Sequence, residues 1–188
     1  MRWIFWGTLW QALSLNLNID GLQFRILPLF LCYLLVMHGC TQLTEESERF
    51  RTCRTVYFGI TLCMLAVEVG ALFSMTAEIW STWIAVAAQC GQYLYIRGMQ
   101  DTEGRYGDLG GAALMTTWKV ATVCTLLAYP ISLLQMDSLP GILYFVVTVC
   151  AHIWFLVLLY RAWKTYETRH RQVYGMDDDA WNKESDLP

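Results

Sequence analysis

The stretch GILYFVVTVCAHIWFLVLLYRAW, residues 141–163, decides the fold class. It exceeds the roughly 20 apolar residues that an α-helix needs to cross the hydrocarbon core of a bilayer. His152 and Arg161 are its only basic residues, and it contains no acid. In lipid such a segment must form a helix, because a helix satisfies its backbone polar groups within itself.

Four more segments have a similar apolar character: residues 26–42, 56–75, 78–98 and 112–134. The whole chain is 56% hydrophobic and 15% charged, against roughly 25% charged in soluble domains. A soluble protein of 188 residues could not hide this much apolar surface from water. The sequence therefore predicts an all-α fold, a polytopic transmembrane helix bundle of five to six helices within residues 1–163.

Basic residues alternate along the chain in a way that predicts its orientation. The connections near residues 76–77 and 135–140 contain no Lys or Arg, whereas the other loops and the C-terminal segment are basic. Cytoplasmic loops of membrane proteins carry the excess of Lys and Arg. We therefore expect a multi-pass protein of the cell membrane, with residues 164–188 forming a cytoplasmic helix extension and an acidic tail. The basic residues in question are Arg49, Arg51, Arg54, Arg97, Arg105, Arg161, Lys164, Arg169, Arg171 and Lys183.

Residues 1–24 allow three interpretations: a short sixth span, an interfacial helix, or a re-entrant helix with an unwound arm. The tryptophans of residues 3–10 repeat at helical spacing, but the apolar run is short for a crossing. Residues 15–20 alternate between apolar and polar side chains, which is typical of extended chain. A sixth span is preferred, because it places Arg2 on the basic side.

Three polar residues within the predicted spans are candidates for a functional site: Glu68, Gln89 and His152. Each lies well inside its segment, and ionisable groups at membrane depth are costly and often functional. We expect one polar layer near the bilayer midplane, in which His152 pairs with the Glu68 carboxylate or gives it a proton. The structural alternative is that Glu68 only hydrogen-bonds a neighbouring helix.

Small residues four apart predict where helices meet. Ala66 and Gly70 have this spacing in the second span, and Ala87 and Gly91 have it in the third. Small side chains at such positions let two helix backbones approach closely.

No pattern indicates catalysis, a metal site, a cofactor or nucleic-acid binding. The stretch Glu45–Glu48 resembles part of the E-E-x-x-x-R motif of an intramembrane protease group, but Phe50 stands where the Arg is required. The seven cysteines form no C-x-x-C pair and are read as membrane-embedded apolar residues. The chain is therefore not expected to be an enzyme.

Residues 16–55 contain the run Ile19-Asp20-Gly21 followed by Arg25-Ile26-Leu27-Pro28-Leu29-Phe30-Leu31-Cys32-Tyr33. This stretch resembles the ILPxFxxY-type early span of a group of small uncharacterised multi-pass membrane proteins of Gram-positive bacteria. Arg25 and Leu29 stand where that group usually has acids. The resemblance implies a membrane fold and a bacterial source, and it implies no activity.

Two functions remain open on this basis. One is a small-solute-binding or transport-related membrane protein, which requires a polar cavity inside the bundle. The other is a non-catalytic membrane regulator or immunity-type protein that acts through helix–helix contacts, with a membrane-protein partner or a second copy of the chain, and it requires a filled core. In both cases the lipid bilayer is the surrounding medium.

Overall fold

The computed structural model describes the backbone of residues 1–16, 18–19, 22–23, 28–71, 78–133 and 139–174. Within these ranges the fold is helical, as predicted, with six α-helices and one antiparallel pair of two-residue strands. The acidic end of the predicted tail, residues 175–188, lies outside the described residues. The elements are α1 Arg2–Asn16, β1 Asn18–Ile19, β2 Leu22–Gln23, α2 Leu29–Gln42, α3 Glu48–Ala71, α4 Glu78–Tyr106, α5 Gly111–Leu133 and α6 Leu139–Tyr174.

The start of the chain folds as a helical hairpin. α1 runs antiparallel to α2, because Trp3 packs against His38 with ring centroids 5.5 Å apart while Gly7 faces Cys32. The two-residue strands between the helices pair Asn18 with Gln23. At about 1.5 Å per residue the 15 residues of α1 extend for roughly 22 Å, which is short of a roughly 30 Å hydrocarbon core.

Glycine makes the contact between α1 and α2 close. A Cβ atom on Gly7 would lie 2.7 Å from the carbonyl oxygen of Cys32, and one on Gly39 would lie 2.7 Å from the backbone nitrogen of Ile4. Both distances are far shorter than a carbon atom tolerates. The two backbones therefore pack directly on one another, and Ile4 is completely buried between them.

The predicted pair Ala87 and Gly91 lies where α4 meets α3. A Cβ atom on Gly91 would lie 2.7 Å from the ring of Tyr57. The Tyr57 hydroxyl donates to the carbonyl oxygen of Ala88 at 3.4 Å. The Ala87–Gly91 segment thus makes room for a fully buried tyrosine.

The other predicted pair, Ala66 and Gly70, shows no such close approach of helices within the part of the chain that the structure describes. Ala66 is exposed and Gly70 is half-buried. The inward face of α3 carries residues such as Tyr57, Ile60 and Met64. Ala66 lies two residues beyond Met64, which turns it about 200° around the helix and away from the bundle.

Two of the described helices are long and apolar enough to cross a membrane: Glu48–Gly70 and Leu143–Tyr174. Their most apolar stretches are only 28% and 11% buried inside the structure. A core helix of a soluble protein would be mostly buried. Two further apolar helices, Leu29–Gln42 and Gly111–Leu127, are shorter in the described residues.

The exposed surfaces of α3, α5 and α6 each change from basic to apolar at one point along the helix. Beyond that point large apolar side chains are exposed, such as Leu62 on α3 and Val123 on α5. The residues that flank the change are Arg54 and Phe58 on α3, Lys119 and Val120 on α5, and Arg161 and Tyr160 on α6.

Replacing Gly7 with Ala should destabilise the protein, because the added methyl group would collide with the backbone of α2. We expect a loss of about 1–3 kcal/mol, typical of overpacking. Gly59 is the matched control: it is an exposed helix-interior glycine with nothing within 4 Å of a built Cβ. Gly59→Ala should leave the stability unchanged or raise it by about 0.5–1 kcal/mol. Thermal unfolding of both variants in the same detergent measures the difference, and equal midpoints would contradict the close α1–α2 contact.

Candidate functional site

A small polar cavity lies between α1, α4, α5 and α6. Its volume is about 30 Å³, which is room for about two water molecules, since one needs roughly 10–15 Å³. All four helices contribute polar side chains to its wall. These residues are Thr8, Gln11, Gln89, Gln92, Trp118 and His152.

His152 presents a hydrogen-bond acceptor at this cavity when its ring is neutral. Its Nδ1 atom lies 2.8 Å from the carbonyl oxygen of Thr148, one turn earlier on α6. A carbonyl oxygen only accepts, so Nδ1 carries the hydrogen. In the neutral ring Nε2 then holds a lone pair, and it can accept a hydrogen bond or a proton.

Amide donors line the same cavity. The Thr122 hydroxyl donates to Gln89 Oε1 at 3.1 Å, which leaves the Gln89 amide hydrogens for other acceptors. Trp118 also lines the cavity, but its Nε1 atom is closed to water and has no hydrogen-bond partner among the described residues. The glutamine amides are therefore the donors that the cavity offers to a guest.

The three predicted site residues divide between two places. Gln89 and His152 line the same cavity, which brings together two of the three residues of the predicted polar layer. Glu68 is not among the lining residues. Its Oε1 accepts a hydrogen bond of 2.7 Å from the backbone N–H of Leu29, at the first turn of α2. A carboxylate there is stabilised by an unpaired N–H group and by the helix dipole, so Glu68 joins α3 to α2 as the structural alternative expected.

Sequence reasoning missed the contribution of α1 to the cavity. Thr8 and Gln11 are both buried, at 5% and 7% exposure, and they lie three residues apart on one helix face. Gln89 and Gln92 repeat this spacing on α4. Two polar residues three positions apart in an otherwise apolar helix lie on one face, and this spacing could have identified the polar face of α1 from the sequence.

A second polar cluster, centred on Glu46, was also missed. Glu46 precedes α3, and its side chain is only 10% exposed. Arg105 Nη1 lies 2.9 Å from its Oε2, and the Tyr106 hydroxyl donates to Oε1 at 2.7 Å. The Tyr166 hydroxyl donates to Oε1 at 3.4 Å, and His170 Nε2 lies 3.9 Å from the same oxygen. One carboxylate thus connects the α2–α3 turn with the ends of α4 and α6.

The aromatic groups around Glu46 reinforce this connection. Tyr106 and Tyr166 meet edge to face, with ring centroids 5.0 Å apart. Burial, and then the hydrogen bond to the Glu46 carboxylate, raise the pKa of Tyr106 above its ordinary value. The phenol therefore stays protonated and remains a donor at neutral pH.

Arg169 holds the α4–α5 connection to α6. Its Nη1 donates to the carbonyl oxygens of Tyr106 at 2.6 Å and Asp108 at 3.0 Å. Gly107 ends α4 with φ at 73°, and a Cβ atom there would lie 2.6 Å from the guanidinium. A cation at a helix C-terminus binds the last carbonyl groups and opposes the negative end of the helix dipole.

No protein family, curated protein or solved structure matches the chain. The resemblance of residues 16–55 to small bacterial membrane proteins therefore stays a prediction. Among the described residues no three His, Cys, Asp or Glu side chains are grouped as metal ligands.

Replacing Glu46 with Ala should destabilise the basic end of the bundle, because Tyr106 and Tyr166 lose a charged acceptor. The expected loss is about 1.5–3 kcal/mol, the range for hydrogen bonds to a charged group. Glu45 is exposed and supplies the control: Glu45→Ala should change stability by less than about 0.5 kcal/mol. Thermal unfolding in detergent compares the two variants, and similar small effects at both positions would contradict a central role for Glu46.

Proposed function

We propose that the chain is a multi-pass protein of the cell membrane that binds a small polar solute between its helices. The cavity carries this proposal, because four helices with apolar outer surfaces each direct polar side chains into one place. Buried polar groups are costly unless they are paired, and the two buried ones, Thr8 and Gln11, share with four half-buried polar side chains a space that water or a small guest can fill.

The pattern of exposure supports several membrane crossings. The change from basic to apolar surface lies at a similar level on neighbouring helices. Tyr57, next to this change on α3, packs against Gly91 on α4. Two residues further along α4, the ring centroid of Tyr93 lies 5.4 Å from that of Trp118, which is next to the change on α5. A single plane of this kind is expected where a bundle passes from headgroups into hydrocarbon.

The orientation follows from the charges at that level. The Glu46 cluster, the Arg-rich first turns of α3 and the end of α6 share one end of the bundle. Cytoplasmic segments are enriched in Lys and Arg. We therefore assign this end, and with it the C-terminus, to the cytoplasm. α1 begins at the same end, since Phe5 stacks on Trp163 with centroids 5.6 Å apart.

The size of the cavity limits the solute. A guest held entirely inside about 30 Å³ is comparable to one or two water molecules, so a vitamin-sized ligand does not fit this conformation. The lining offers amide donors such as Gln89 and an acceptor from His152. A matching group is an alcohol, a primary amide or an amine.

A regulator that acts through helix contacts is the second candidate. It is favoured by the outer face of α3, where Gly59, Cys63 and Ala66 are exposed together with larger apolar residues. Small residues on a lipid-facing helix allow a second transmembrane helix to approach closely. In that case the partner is another membrane protein or a second copy of this chain.

Solute binding predicts a saturable rise in the melting temperature of the purified protein in detergent. The probes are methanol, formamide and methylammonium, the smallest common alcohol, amide and amine, each titrated separately. A ligand present at about 100 times its Kd adds about 2.7 kcal/mol to the stability. At least one probe should stabilise the wild type, because its polar end replaces water against Gln89 and His152.

The comparison variants keep this test specific to the cavity. Ala121→Leu fills the cavity, and Gln89→Met removes hydrogen-bonding groups at similar volume; both should abolish the rise. Val120→Leu changes an exposed neighbour and should retain it. If no probe distinguishes the wild type from the filled variant, solute binding is contradicted and the regulator is favoured.

A further inference from the structure

Two buried cysteines from adjacent helices face each other near the basic end of the bundle. Cys40 lies in the last turn of α2, and Cys53 lies in the second turn of α3. Their sulfur atoms are 3.2 Å apart, and both residues are completely buried. The Cys53 thiol also lies 3.5 Å from the carbonyl oxygen of Gly91 on α4.

This proximity is specific to one pair. Cys63, Cys90 and Cys150 are exposed on the outer apolar surface and Cys124 is half-buried, and no sulfur contact joins any of the four to another described cysteine. Cys32 is buried on α2, two turns before Cys40, and its thiol is directed to the carbonyl oxygen of Pro28 at 3.8 Å. Only Cys40 and Cys53 are thus placed for mutual reaction among the described residues.

We propose that Cys40 and Cys53 are a redox-active dithiol, which a small uncharged peroxide oxidises to a disulfide that links α2 to α3. A disulfide bond is about 2.05 Å long, so the sulfurs must approach by roughly 1.2 Å. The site is separate from the polar cavity and does not depend on solute binding.

The chemistry balances in two steps. One sulfur, as thiolate, attacks hydrogen peroxide; an S–O bond forms, the O–O bond breaks, and hydroxide leaves and takes up the thiol proton as water. The second thiol then attacks the sulfenic acid, so that the S–S bond forms and a second water leaves. The two sulfurs together lose two electrons, and the peroxide gains them.

Burial selects the oxidant. Neither cysteine has surface that even a water molecule reaches in this conformation, so oxidation requires a local separation of the helix ends. A small opening admits hydrogen peroxide, which is close to water in size, whereas glutathione disulfide is large and charged and needs a much wider one. The resolving thiol is already 3.2 Å away, so a sulfenic acid at either sulfur is captured within the same molecule. The disulfide would close a loop that runs from Cys40 to Cys53 and contains Glu46. It would therefore connect α2 to α3 next to the Glu46 cluster, at the basic end of the bundle.

The test uses the full-length protein in membranes, treated with hydrogen peroxide or with glutathione disulfide. Remaining thiols are blocked with N-ethylmaleimide after denaturation, and tryptic peptides are identified by mass spectrometry. Cleavage after Arg25, Arg49, Arg51 and Arg54 places Cys53 in residues 52–54 and Cys40 in residues 26–49. Fragmentation distinguishes Cys40 from Cys32 within the longer peptide.

Peroxide should convert most of the protein to the Cys40–Cys53 linked peptide, and glutathione disulfide should leave it unlinked. Cys63→Ser and Cys32→Ser should retain the link, whereas Cys53→Ser should lose it. Absence of the linked peptide in peroxide-treated wild type would overturn the proposal, as would equal linkage by glutathione disulfide. Because the wild type is measured directly, the result does not depend on whether a variant folds.

Discussion

The arrangement of this protein depends on the large apolar surface that its helices leave uncovered. Leu62, Val123 and Phe145 are each more than half exposed, although they lie on three different helices. At about 25 cal/mol per Å², such a surface would be strongly unfavourable in water. In the proposed membrane setting lipid removes this cost, and the polar groups then gather either inside the bundle or beyond the apolar band.

Both arrangements are present. Inside the bundle, glutamines, a threonine, a tryptophan and a histidine share one small cavity. Beyond the apolar band, Glu46 gathers an arginine, two tyrosines and a histidine. Glycines let the helices pack closely at their apolar interfaces. Gly7 and Gly39 allow the backbones of α1 and α2 to touch, and Gly91 leaves space on α4 for the ring of Tyr57 from α3. Small residues and internal polar contacts are the means by which helices associate where lipid gives no hydrophobic drive.

Much of the helical fold could be predicted from hydropathy, because runs of apolar residues have one stable form in lipid. α3 and α4 nevertheless extend further at their basic ends than the predicted spans did. The Arg-rich first turns of α3 and the turns of α4 before Tyr106 are helical outside the apolar band, where hydropathy carries no signal. The extended pattern predicted for residues 15–20 is confirmed at Asn18–Ile19 and wrong at residues 15–16, where α1 continues to Asn16, whereas residues 17 and 20 lie outside the described residues.

The sites were less predictable, because they depend on which helix faces meet. Gln89 and His152 could be identified as polar residues within apolar segments, and they do share a cavity. Glu68 had the same sequence signal, but the N-terminus of α2 attracts its carboxylate instead. Glu46 looked like part of an exposed acidic stretch, because its partners lie 59 to 120 residues away in the chain. Only the tertiary fold brings Arg105, Tyr106 and Tyr166 to one carboxylate.

The most direct measurement of the membrane arrangement is cysteine labelling in intact membranes with a charged, membrane-impermeant maleimide. Thr52 and Leu62 are both exposed on α3, on the basic and apolar sides of the boundary respectively. With membranes oriented to present the cytoplasmic face, Thr52→Cys should be labelled above the wild-type background, whereas Leu62→Cys should not be until detergent is added. Equal labelling of the two variants before detergent would show that the apolar surface of α3 faces water, and it would contradict a bundle that spans the bilayer.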